Sequence, residues 1–117
     1  MGTVTAEVPS VVAYRNIIEH IFAGWERWPR IASFRIVPVM DDVNHRYLLL
    51  TMGWEGHRRI YSVFVHIDII DGKLWIQQDQ TEEGVATALV EAGVPKDRIV
   101  LGFKSEERRR DTEFAIN

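Results

Sequence analysis

The run from Val63 to Phe103, VFVHIDIIDGKLWIQQDQTEEGVATALVEAGVPKDRIVLGF, constrains this chain more than any other feature. It reads as strand, tight turn, strand, capped helix and proline-marked exit, with no spare residues between them. Asp71-Gly72 is a strong two-residue hairpin signal, because a type I′ turn needs positive φ at both central positions. Asp79 stands three residues before Glu82, the spacing of a capping box, and Thr81 is a competing cap. The helix this predicts runs over 82–92, stops at Gly93 and cannot resume past Pro95.

Upstream, Ser10 can cap a helix extending to about Trp28, where Pro29 ends it. Val11, Tyr14, Ile18, Ile21, Trp25 and Trp28 form one broad apolar stripe, widened by Ile17 and Phe22. A stripe of this kind beside strand-forming sequence packs on a sheet more often than on a partner helix. Ser33 to Asp41 reads as an edge strand because Pro38 cannot donate to a ladder. A turn over 41–44 follows, then strands over 46–54, 58–70 and 73–79, the first two joined across Glu55-Gly56. The fold class is therefore α+β. It has an N-terminal helix, a four-stranded antiparallel meander, a second helix packed on one sheet face, and an irregular C-terminal segment. Ile99–Phe103 and Thr112–Ile116 read as short strands or ordered tails.

Two-residue turns allow register to be worked out. Ile69 should face Leu74, Ile67 should face Ile76 and Val65 should face Gln78, with Leu48 against Val63 and Leu50 against Tyr61. Side chains alternate along a strand, so these residues make one apolar face for both helices to cover. The other face then carries Tyr47, Leu49, Thr51, Ile60, Ser62, Phe64, His66, Asp68, Trp75, Gln77 and Asp79. That mixture is too apolar for a plain solvent face and too polar for a second core layer. Interfaces combine aromatic anchors with satisfied polar groups in this way. Phe64, His66, Asp68, Trp75 and Gln77 are the expected centre of a contact with a partner, a second copy or the C-terminal tail.

Composition narrows the function. The 117 residues suit a single domain spanning 1–117, able to bury roughly two-thirds of its unfolded surface. The formal charge of −3 argues against autonomous binding to nucleic acid, whose affinity comes mainly from phosphate neutralisation. Two basic groups, Arg58-Arg59 and Arg108-Arg109-Arg110, remain candidate contacts. The second is bracketed by Glu106, Glu107, Asp111 and Glu113, which cancel its field locally. With no cysteine there is no thiolate nucleophile or Cys-based zinc site. No apolar run approaches membrane-spanning length, the N-terminus has no secretion-signal pattern, and a cytoplasmic protein is the simplest fit.

His66 and Asp68 project from the same side of one strand, with Asp79 on the next. They could be imagined as a metal or acid–base centre. The bland reading is that His66 and Asp68 hydrogen-bond across the sheet while Asp79 and Glu82 cap the helix, and it accounts for the spacing better. No serine sits in a nucleophile elbow, and there is no phosphate-binding loop or dinucleotide fingerprint. No catalytic residue, metal or cofactor is expected. A small metal- or ligand-dependent enzyme centred on His66, Asp68 and Asp79 is the alternative.

The words of the chain are also familiar. Gly53-Trp54 through Gly56, His66-Ile67-Asp68, Gly72 to Gln77, Asp79 with Thr81-Glu82, Val94-Pro95, Leu101-Gly102-Phe103 and Thr112 to Ala115 follow one another in order. In this it resembles the XisI family, named for a controlling factor in fdxN-element excision in cyanobacteria, from the first helix to the C-terminus. The resemblance implies a small α+β protein acting beside a XisH-like, nuclease-type partner and a site-specific recombinase. Those proteins support programmed removal of a DNA element during heterocyst differentiation. It implies no catalytic residue. The acidic balance suits an accessory or inhibitory protein that binds a protein partner, with DNA contacted by that partner, and self-association is expected.

Overall fold

Two β-bulges decide how the faces of this protein are assembled. The computed structural model describes residues 11–27 and 33–117, so Ser10, Trp28, Pro29 and Arg30 lie outside the described residues. Helix α1 (Val11–Glu26) leads into strands β1 (Phe34–Asp41), β2 (Arg46–Glu55), β3 (Arg58–Ile70) and β4 (Lys73–Asp79). Helix α2 (Val85–Glu91), a 3₁₀ turn at Lys96–Arg98, strand β5 (Ile99–Leu101) and helix α3 (Glu106–Arg109) complete the chain. The strands form one sheet in the order β1-β2-β3-β4-β5. The first four are an antiparallel meander, as expected. β5 adds a fifth strand parallel to β4, with Leu74 beside Ile99 and Ile76 beside Leu101. The α2 crossover carries the chain across the sheet to make that parallel pairing.

The core lies between the sheet and the helices. α1 contributes Tyr14, Ile18 and Phe22, and α2 contributes Val85, Ala86 and Leu89. They cover Tyr47, Leu49, Val65, Ile67, Ile69, Leu74, Ile76 and Ile99, almost all without solvent exposure. Each such side chain contributes about 1.5–3 kcal/mol of transfer free energy. The exit from α2 is a Schellman turn, in which the Gly93 N–H donates to Val90 and the Val94 N–H to Leu89. Buried Val94 and Leu89 complete its apolar contact.

The Asp71-Gly72 turn forms as expected, with φ of 51° and 76°. The preceding hairpin differs. Glu55 pairs with Arg58, so the turn is Gly56-His57, one residue later than Glu55-Gly56. Leu50 therefore lies opposite Val63, not Tyr61. Farther along, the register slips, and Leu49 pairs with Val65, leaving Phe64 as the extra residue of a bulge. A one-residue insertion inverts which side chains share a face. Tyr47 and Leu49 therefore join the helix-covered core, and Leu48, Leu50, Tyr61 and Val63 pass to the other side. Thr51 pairs with Ile36, which packs on the core, so Thr51, Ser62 and Ile60 lie on the helix side as well.

A second slip falls between His66 and Ile67. Ile67 pairs with Ile76, but His66 pairs with Gln78 and Val65 with Asp79. The expected pairing of Val65 with Gln78 and Phe64 with Asp79 is thus displaced by one residue, and Asp79 turns to the helix side.

Candidate functional site

The face without α1 or α2 has two parts. Toward β4 and β5 it is polar and closed. Asp68 is its hub, only 8% exposed, on the central strand. Its Oδ1 lies 2.8 Å from His66 Nε2 and 3.6 Å from Arg46 Nε, and its Oδ2 accepts from Gln77 Nε2 at 3.3 Å. A carboxylate removed from water is stabilised by such donors, and here both oxygens are engaged. Trp75 stands directly opposite Asp68. The Arg109 guanidinium lies over its ring at 5.1 Å from the centroid. Arg109 also donates from Nε to the carbonyls of Leu101 and Lys104, and from Nη1 to that of Ile116. This one side chain ties the C-terminal segment over Trp75. Ala115 donates to Ile99 and bridges Val100, so the tail extends the sheet edge. Gly102 passes so close that a Cβ there would come within 2.8 Å of Gln77 Oε1 and 3.1 Å of the Ile76 carbonyl.

Toward β1 and β2 the same face is apolar and open. Register places Val37 with Leu50 and Val39 with Leu48, followed on β3 by Val63 and Tyr61. Among the described residues no helix covers them. At the hairpin tip Trp54 and Tyr61 are 51% and 61% exposed. The Arg59 guanidinium lies over both rings, at 5.3 and 5.9 Å.

Of the five expected contact residues, His66, Asp68, Trp75 and Gln77 do come together. Phe64 does not. It packs edge-on against Trp25 of α1, with 5.2 Å between centroids, because the β3 bulge turns it under the helix. The imagined centre of His66, Asp68 and Asp79 does not assemble either. Asp79 faces α2, where Oδ1 accepts from the Thr81 N–H and hydroxyl and Oδ2 from the Val85 N–H at 2.8 Å. Asp79 thus satisfies the first backbone N–H of the helix from six residues upstream, whereas the cap position itself is Gly84 and the box with Glu82 does not form. Thr81 Oγ1 accepts from the Gly84 N–H, and this local turn delays the helix to Val85. Glu82 is left exposed in the loop. Gly84 is the residue ahead of the helix, not part of its first turn. No group of three or more His, Cys, Asp or Glu among the described residues has the arrangement to hold a metal ion.

The two basic groups sit on separate elements. Arg58 and Arg59 occupy the hairpin tip, with Arg58 paired to Glu55 at 2.6 Å. Arg109 is consumed by the tail, Arg110 pairs with Glu106, and Arg108 is exposed. One constellation escaped sequence reading altogether. Arg15 Nε donates to Asp42 at 2.9 Å, Arg15 Nη1 to Glu19, and the buried Tyr47 hydroxyl to Asp42 at 3.0 Å. It fastens α1 to the β1–β2 turn. The Arg15 hydrogen bond, then that of Tyr47, holds the Asp42 carboxyl below its usual range. Burial, then the bond to Asp42, pushes Tyr47 up to about 12. The only available signal was an acid and an aromatic flanking a turn.

One sheet with α1 and α2 on one side, and an opposite face divided between a polar patch closed by the C-terminal segment and an open apolar one, define a class of small α+β protein. The chain belongs to the XisI family, whose profile, described as XisI protein, matches residues 9–116. It is similar to the crystal structure of a XisI-like protein from Anabaena variabilis, with 29% identity and a TM-score of 0.83. That match covers 92% of this chain and 100% of the other. It is also similar to the fdxN element excision controlling factor XisI from the same organism, at 31% identity and a TM-score of 0.74. Here 92% of this chain and 98% of that one are covered. No curated protein matches. No helix among the described residues is long and apolar enough to cross a membrane.

Proposed function

We propose that this protein is a non-enzymatic controlling factor of the XisI type. It acts by contact with a XisH-like, nuclease-type protein in programmed excision of a DNA element, with a site-specific recombinase in the same assembly and DNA held by the partners. The observation that carries this reading is the open patch of Leu48, Leu50, Val63 and Tyr61. It borders a polar patch whose carboxylate is already satisfied. A dry centre beside saturated hydrogen bonds is the anatomy of a protein interface. Family membership supports the biological setting. The acidic balance of the chain supports contact with protein in preference to DNA.

The test is co-purification of the chain with a XisH-like protein from the same source, followed by titration of Leu50→Arg. The substitution should weaken binding roughly thirtyfold or more while leaving the far-UV spectrum unchanged. Unchanged binding would remove the face from the mechanism. Tight binding of duplex DNA by the chain alone, with a steep salt dependence, would overturn the division of labour.

A further inference from the structure

β3 is longer than its neighbour on one side, and the difference leaves a notch. β2 pairs with β3 from Arg58 onward, whereas β4 pairs only with the stretch from Val65 to Ile70. Gln80 donates to the Phe64 carbonyl and closes the inner end of the notch. From Arg58 to Val63 the outer edge of β3 meets no strand among the described residues. Its hydrogen-bonding parity follows from the turn. A two-residue hairpin closes on a hydrogen-bonded pair, here Glu55 and Arg58, and the pattern alternates from there. Arg58, Ile60 and Ser62 thus point their N–H and C=O groups toward β2, while Arg59, Tyr61 and Val63 point theirs outward. The Val63 carbonyl fits this parity, for it is reached from outside by Gln78 Nε2 at 3.5 Å. An unpaired edge of this kind is a template for another strand.

We infer that the notch is filled by the same segment of a second copy, the two β3 strands pairing antiparallel about a two-fold axis perpendicular to the sheet. Such an axis keeps each face on its own side, so residues opposite one another must share a face. The register in which Ile60 meets its own counterpart satisfies this condition. It places Arg59 opposite Tyr61 of the second copy, and the outward groups of both residues exchange four hydrogen bonds. It also brings the second copy's Gly56-His57 turn to the level of Phe64, where the notch ends. A register centred on Tyr61 would drive that turn into the end of β4. Charge agrees with the chosen register. The tip carries His57, Arg58 and Arg59 against one acid, Glu55, which pairs with Arg58, and the loop leaving β4 at the notch's end carries exposed Glu82 and Glu83. β1, at the opposite border of the sheet, carries Pro38, which cannot donate to a ladder. The product is a ten-stranded sheet whose open apolar patches are continuous across the axis. This pairing stands whether or not the XisH-like partner is correctly assigned.

The chain has no cysteine, so a single introduced thiol reports self-contact. In the inferred register residue 60 forms a non-hydrogen-bonded pair with itself, with Cα atoms about 4.5 Å apart, inside the disulfide range. Under mild oxidation Ile60→Cys should convert to a disulfide-linked dimer. Ser62→Cys, on the same strand and face, should stay largely uncrosslinked. By sedimentation equilibrium the full-length chain should be a dimer that weakens as salt rises. Tyr61→Pro should be a folded monomer, since it removes an N–H that serves no bond within the chain. A wild-type monomer, a Tyr61→Pro dimer, or equal crosslinking at 60 and 62 would each overturn the inference.

Discussion

Leu49 and Leu50 are adjacent, identical in side chain and set in one strand, yet they belong to different parts of the molecule. Leu49 lies beneath the helices with no exposure, while Leu50 lies opposite Val63 on the open patch. Asp68 and Asp79 make the same point for charge. Both are carboxylates on the central hairpin. One is the hub of a polar patch with His66, Gln77 and Arg46, and the other caps α2. The side of the sheet, not the residue type, assigns each role. A one-residue bulge assigns the side.

The largest expected effect breaks the comparison directly. Leu49→Ala should cost about 2–5 kcal/mol in urea unfolding, and Leu50→Ala about 1 kcal/mol or less. Equal losses would mean that the faces are wrongly divided. Gly102→Ala comes next, at about 1–3 kcal/mol, because the added methyl meets the Ile76 carbonyl and the Gln77 side chain on the closed patch. A neutral result would show that the tail does not press on Trp75. Asp79→Ala should cost about 0.5–2 kcal/mol. It should also lower hydrogen-exchange protection within Val85–Glu91, which His66→Ala should leave untouched. A matching loss of protection in the histidine variant would join two carboxylate networks that the structure keeps apart.

The smallest effect is absent at neutral pH. Tyr47 is raised to about 12, first by burial and then by its bond to Asp42. The stability held by the neutral phenol is therefore complete below the unfolded value near 10 and disappears as pH climbs through about 12. Unfolding free energy of the wild type should decline over that window, and Tyr47→Phe should decline less steeply, keeping only the part owed to Tyr14, which burial also raises. Identical slopes would place Tyr47 outside the core.

Much of this architecture is legible in residue order. The helical stripe of α1 from Tyr14 to Trp25, the Asp71-Gly72 turn, the stop at Gly93 and the meander all rest on signals spanning a few residues, and all appear, although Val11 at the start of the expected stripe is exposed. The polar cluster was legible too, since His66, Asp68 and Trp75 lie along one hairpin arm and its partner. The displaced residues share one cause. Phe64 and Gln77 look like ordinary strand residues, and no turn chemistry marks either bulge. Every face assigned by alternation beyond them was inverted, which exchanged Leu49 for Leu50, hid Phe64 and turned Asp79 to the helix. The parallel pairing of β5 was likewise hidden, because a stretch that reads as a short strand or an ordered tail carries no pattern that names its neighbour or its direction.

Local signals persist because a turn or a cap lowers the free energy of its own few residues wherever they are placed. A bulge lowers nothing locally. It exists because Tyr47, Leu49, Val65 and Ile67 bury more apolar surface against α1 and α2 when one residue is looped out, and that gain arises only after distant segments have met.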